Sequence, residues 1–252
     1  MNVTLAQGWL VGVMLTSVRV GVLLLLAPIF GSLQGLVVVR ALFVLALSAL
    51  LTPTGYHALG QLSAGGLLLA AVTEAAVGFA LAYGMVMAFS AFAVAGKLLD
   101  IQTGLGMGNV YDPVTRHGAP MFGTLLNMLG LAVFYELDGH HLMLRGIAYS
   151  LQKVPPGHGV HLDSATPVLM LFGMMFALGV ALIAPVLLSL LLIEVGLAVV
   201  SKALPQMNVF TVSTPAKSLA GLALLALSMP LFGTPMLRIY ASIFEYWEGV
   251  MG

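Results

Sequence analysis

Residues 62–96 read LSAGGLLLAAVTEAAVGFALAYGMVMAFSAFAVAG. This stretch of about 35 residues holds one charge, Glu74, and no proline, whereas an untilted membrane span needs about 20 apolar residues. It predicts either one long helix, bent at Gly78 or Gly84, or a tight helical hairpin. A second run, Val168 to Val200, echoes it with a single acid, Glu194, and with Pro185 inside as an expected kink.

Working outward, Trp9 to Phe30 is a further apolar run whose only charge is Arg19, ended by Pro28 and Gly31. Leu36 to Leu51 follows with Arg40 near its start, is short for a span, and stops at Thr52-Pro53-Thr54-Gly55. Helices are also expected over Met121–Leu137, from about Lys217 to Met229, and from about Pro235 to Trp247. Between Lys97 and Pro120 the alternating glycines of Thr103-Gly104-Leu105-Gly106-Met107-Gly108 and the turn signal Asp112-Pro113 predict a loop. Asp138-Gly139-His140-His141 breaks the helical pattern before a short amphipathic stretch to Ser150. Lys153-Val154-Pro155-Pro156-Gly157-His158-Gly159-Val160-His161 is the best candidate internal boundary. Ser201–Pro215 reads as a polar connector. The expected fold is all-α, and no fixed-period repeat is visible.

Of the 252 residues, 60% are hydrophobic and 7% charged, and mean hydropathy is +1.08. That charge is far too sparse for the exterior of a water-soluble domain, which carries about 25% charged residues, so the chain is expected in a lipid membrane. Nine basic residues balance nine acidic ones, leaving no field for nucleic acid, and the basic residues are too evenly spread to fix orientation. Without cysteine there is no disulfide or thiolate chemistry and no guide to redox compartment. The N-terminal residues lack a positive leader region, so the first helix is expected to be retained.

An ionisable group in hydrocarbon needs a partner or a wet cavity. Arg19, Glu74 and Glu194 are therefore candidates, either for an ion relay or for pairing between helices or subunits. Two histidine groups, Asp138 with His140 and His141, and His158 with His161 and Asp163, supply metal-ligand types, but both sit beside Gly or Pro where solvated side chains are expected, so no metal site is assigned. No nucleophile elbow, phosphate loop or zinc-protease helix occurs, and Gly104-x-Gly106-x-Gly108 lacks a preceding strand. Neither an enzyme nor a cofactor is expected. The glycine-rich loop can serve as a displaceable plug or as a plain connector.

Several motifs, in order along nearly the whole chain, resemble the FliR/MopE/SpaR family of type III secretion export-apparatus proteins. They are Arg19-Val20-Gly21, Ala27-Pro28-Ile29-Phe30-Gly31, Gly96-Lys97-Leu98-Leu99-Asp100-Ile101-Gln102-Thr103-Gly104, Asp112-Pro113 and Asp138-Gly139-His140-His141, then Ser150 with Pro155-Pro156-Gly157, Ala184-Pro185-Val186, Glu194-Val195-Gly196-Leu197 and Pro205-Gln206-Met207-Asn208-Val209-Phe210. The Gln102-Thr103-Gly104 and Asp138-Gly139-His140 wordings resemble its flagellar branch. The resemblance implies long helical hairpins, a FliP-like part over residues 1–155 and a FliQ-like part over 156–252, assembled with FliP-like and FliQ-like membrane subunits and other export-apparatus proteins into a helical pore for unfolded flagellar subunits. It implies a bacterial inner-membrane location in the flagellar basal body. It also implies a plug near residues 103–118, with Gly104, Gly106, Met107, Gly108, Val110 and Tyr111 in or beside the seal, and it turns Arg19, Glu74 and Glu194 into pairing charges. Two alternatives stay open: a self-sufficient secondary transporter of a small solute using Glu74 and Glu194, and, well below both, an intramembrane enzyme.

Overall fold

A computed structural model describes residues 2–29, 37–52, 63–107, 120–158, 166–203 and 209–251. Within them lie eight α-helices: α1 (Asn2–Leu26), α2 (Val37–Leu51), α3 (Ala64–Thr103), α4 (Met121–Glu136), α5 (Gly139–Lys153), α6 (Thr166–Ala203), α7 (Val209–Ser228) and α8 (Gly233–Met251). No strand occurs among the described residues. Among the described residues four stretches are long and apolar enough to cross a membrane: Gln7–Leu26, Ala64–Thr103, Thr166–Ala203 and Ser213–Leu231.

Within the stretch over residues 62–96, residues 64–96 belong to one helix, α3, and not to a hairpin. At 1.5 Å per residue α3 runs about 60 Å. Neither Gly78 nor Gly84 interrupts it, because each receives a packed neighbour in place of a side chain. A Cβ on Gly78 would lie 2.5 Å from the Arg19 carbonyl oxygen, and one on Gly84 would lie 2.9 Å from Trp247 Nε1. The helix also continues past Gly96 through Lys97–Thr103, which composition assigned to a loop. Leu99 and Asp100 are fully buried there, and tertiary packing carries the helix on to Gly104, which ends it at φ +83°.

Two further boundaries differ from expectation. α7 begins at Val209 and passes through Pro215, so part of the supposed Ser201–Pro215 connector is helical. α6 likewise holds Pro185 within it, where Ser189 Oγ donates to the Pro185 carbonyl at 2.8 Å. A proline removes one ladder bond but does not end a helix that packing supports. Elsewhere the breaks fall where the sequence placed them. α1 stops at Leu26 before Ala27-Pro28, and α4 meets α5 at Asp138, which adopts φ 54°, ψ 30°, a left-handed conformation that Asp tolerates better than most residues.

The chain divides into two compact units of interleaved segments, residues 1–87, 138–171 and 242–252 in one and residues 88–137 and 172–241 in the other. Helices α3, α6 and α8 each contribute to both. In the first unit α1 packs on α2, and the indole of Trp247 fills a slot floored by Gly84 and Gly146, donating from Nε1 to the Leu81 carbonyl at 3.0 Å. Beside it Tyr83 and Tyr246 pack with ring centroids 5.7 Å apart. Burial pushes the Tyr246 phenol up to about 12, with Tyr83 adding to the effect.

The second unit is centred on Phe89, Phe92, Phe134 and Tyr240, whose rings pack at tilted and edge-on angles favoured by aromatic pairs. Tyr240 donates its hydroxyl to the Gly130 carbonyl. Backbones meet at two glycine contacts: a Cβ on Gly96 would lie 2.3 Å from Gly123 Cα, and one on Gly179 would lie 2.6 Å from the Ala91 carbonyl oxygen.

Candidate functional site

Two polar constellations interrupt the apolar helices, one in each unit. In the first, α1 and α3 cross at Gly78, and that close approach sets Arg19 beside Glu74 one turn earlier on α3. Both side chains are fully buried. Arg19 Nε donates to Glu74 Oε2 at 2.7 Å and Nη2 donates to Oε1 at 3.1 Å, a two-pronged pairing that matches the planar guanidinium to the carboxylate. Nη1 donates to Ser150 Oγ at 3.1 Å, and Nη2 donates also to the Val154 carbonyl at 2.9 Å. The Gly157 N–H donates to Glu74 Oε1 at 3.0 Å. One ion pair thus ties α1, α3, the end of α5 and the turn after it. Gly157 sits at φ +84°, a conformation glycine adopts without penalty.

In the second unit the last turn of α3 is held from two sides. Gln102 Nε2 donates to Glu194 Oε2 on α6 at 2.9 Å, and Lys217 Nζ on α7 lies 3.6 Å from Glu194 Oε1. Thr103 and Gly104 rest against α7: the nearest atom to a Cβ on Gly221 would be Thr103 Cγ2, at 3.0 Å, and one on Gly104 would meet Thr214 at 3.5 Å. Asp100, fully buried, accepts the N–H of Phe122 at Oδ1 and of Gly123 at Oδ2, at 3.0 and 3.1 Å.

Of the residues chosen from sequence, Arg19 and Glu74 come together, while Glu194 lies in the other unit with its own partners. Gly104 ends α3, and Gly106 and Met107 fall in the single 3-10 turn Leu105–Met107 that follows. Gly108, Val110 and Tyr111 lie outside the described residues, as does most of the 103–118 stretch. Asp138, His140 and His141 bring their ligand atoms within 4.8 Å of one another, but the Asp138 and His141 side chains are 72% and 62% exposed and bond each other at 3.2 Å. His161 and Asp163 of the other group lie outside the described residues. Sequence reasoning missed Asp100, Gln102, Ser150, Gly157 and Lys217 as members of these constellations. The available signal was the demand of each isolated apolar-run charge for a partner, together with the polar residues bordering those runs.

The family model for bacterial export proteins, family 1, matches residues 10–243, almost the whole chain. The chain belongs to this family. The resemblance read from its motifs is confirmed, and the chain is an all-α membrane protein. Family members similar to it include the flagellar biosynthetic protein FliR of Bacillus subtilis (strain 168), 29% identical over 73% of this chain and 73% of that protein. FliR of Aquifex aeolicus (strain VF5) is 31% identical over 72% of this chain and 70% of its own length. The secretion system apparatus protein SsaT of Salmonella typhimurium is 26% identical over 62% and 61% respectively.

Proposed function

We propose that this chain is a core subunit of the flagellar type III protein export gate, forming with FliP-like and FliQ-like subunits the channel that passes unfolded flagellar proteins, in the bacterial inner membrane at the flagellar basal body. The observation that carries the reading is the family match over residues 10–243, with FliR proteins among the family members of highest identity given above. The apolar surface fits it. Leu188, Leu191, Leu192, Val195, Val199 and Val200 on α6 are exposed in the isolated chain, and a surface of that kind requires lipid or apolar protein against it.

In this reading residues 1–155 are the FliP-like part and 156–252 the FliQ-like part, and the non-helical turn over residues 154–158 is where they join. Arg19 and Glu74 are pairing charges within the subunit, and Glu194 with Lys217 pairs α6 to α7. The segment from Thr103 to Gly118 is the plug. Both Glu74 oxygens are engaged by Arg19 and Gly157, which counts against Glu74 as the solute-binding acid of the transporter alternative.

The deciding experiment measures ion permeability of cells carrying the chain with residues 108–118 removed, with and without co-expressed FliP-like and FliQ-like partners. A leak only with partners is expected. No leak in either case, together with no complex on purification, would return the transporter to first place.

A further inference from the structure

We propose that Asp138, His140 and His141 bind a divalent transition-metal ion through one carboxylate and two imidazoles. Neighbouring residues of an α-helix point about 100° apart, which argues against consecutive histidines sharing one ion. In the first turn of α5 they nevertheless converge. The His140 and His141 ring centroids lie 4.1 Å apart with their planes inclined by 39°, and Asp138 Oδ1 stands 3.2 Å from His141 Nδ1. One ligand atom from each of the three side chains falls within 4.8 Å of the other two. The Asp138 carboxylate is also released from its ordinary task. An aspartate just before a helix usually turns its carboxylate onto the first N–H groups of that helix. Asp138 holds that position before α5 in a left-handed conformation and makes no such cap; its carboxylate is directed to the His141 ring instead.

Metal bonds to imidazole nitrogen and carboxylate oxygen are about 2.0–2.2 Å long, which sets two ligands of a tetrahedral ion about 3.4 Å apart. The Asp138–His141 separation already meets this. The widest separation in the group, at most 4.8 Å, closes by a shift of about 1.4 Å or less, within reach of side-chain rotation at an exposed surface. That exposure, 72% for Asp138 and 62% for His141, also lets an ion enter from water. Two nitrogens and one oxygen select zinc, cobalt, nickel or copper over magnesium and calcium, which take oxygen ligands. Three protein ligands leave a position for water. The α5 dipole opposes a cation at its N-terminus, and the carboxylate offsets that opposition. A bound ion clips the left-handed corner residue to the first turn of α5.

The test titrates the full-length chain, in detergent and without a histidine tag, with Co2+ followed by visible absorption. Saturation at a single ion per chain is expected, with displacement by Zn2+. Asp138→Asn, His140→Gln and His141→Gln should each weaken binding by at least about tenfold, since losing even a residue that only supports a ligand costs about 10–100-fold. His158→Gln, an exposed histidine outside the group, should leave the affinity unchanged. No saturable binding by the wild-type chain overturns the inference, as does undiminished binding in H141Q or an equal loss in H158Q. A measurement without substitution covers variants that fail to fold: X-ray absorption at the zinc edge of the loaded wild-type chain should show two imidazole ligands, and fewer would refute the site. The export-gate reading is independent of these outcomes, because neither partners nor transport enters the measurement.

Discussion

Glu74 and Glu194 look alike in the sequence, each a lone acid in a long apolar run, but their surroundings assign them opposite weights. Glu74→Gln leaves the Arg19 guanidinium buried against a neutral amide, and breaking such a pair from one side costs about 3–5 kcal/mol. Glu194 is half-exposed and its lysine stands 3.6 Å away, so Glu194→Gln should cost no more than about 1 kcal/mol. Denaturant or thermal unfolding of the detergent-solubilised protein distinguishes the two, and equal losses would refute the contrast. Adding Arg19→Met to Glu74→Gln should recover part of the loss, since it removes the stranded charge. That Arg19 and Glu74 need partners was legible from composition. That they are each other's partner was not, because no local spacing links residues 55 apart. Asp100 was hidden for another reason: it lies in a stretch whose glycines and polar residues read as loop.

Glycines on these helices fall into two kinds that the sequence does not separate. Gly78 and Gly146 are occupied sites, where a Cβ would come within 2.5 Å of the Arg19 carbonyl oxygen and 2.0 Å of the Trp247 ring. Gly173 and Gly196 have nothing within 4 Å. Alanine at either of the first two should lower stability by about 1–3 kcal/mol through overpacking, whereas Gly173→Ala and Gly196→Ala should be neutral or raise it by up to about 1 kcal/mol through helix propensity. Melting temperatures of the four variants in detergent check this, and a destabilising Gly173→Ala would contradict it. The long apolar helices were readable because nothing but a helix satisfies so long an unbroken run. Their ends were less so: buried Leu99 and Asp100 extend α3 through a polar stretch, and Pro215 sits inside α7 although local chemistry argues for a break.

At the scale of the whole molecule, neither compact unit is a continuous length of chain. The first is completed only by residues 242–252, which bring Tyr246 and Trp247 to the slot over Gly84 and Gly146. A chain ending at Ala241 should therefore lose order across α5 as well as at its own end, seen as new protease cleavage within residues 138–158; protection equal to the full chain would count against this. Trp247→Phe should do the same more mildly and remove the emission of one of the two tryptophans, the buried, blue-shifted one. Interleaving was invisible in the sequence, because apolar runs show that helices pack but not which pack together. Its consequence belongs to time as much as to space. A ribosome adds roughly 5–20 residues per second, so the early helices spend several seconds with the Trp247 slot vacant before the stretch that fills it has been synthesised. During that interval the glycine-floored slot over Gly84 and Gly146 stands open, so a product stalled before Trp247 differs from the longer chain by an unfilled groove in its earlier-made part.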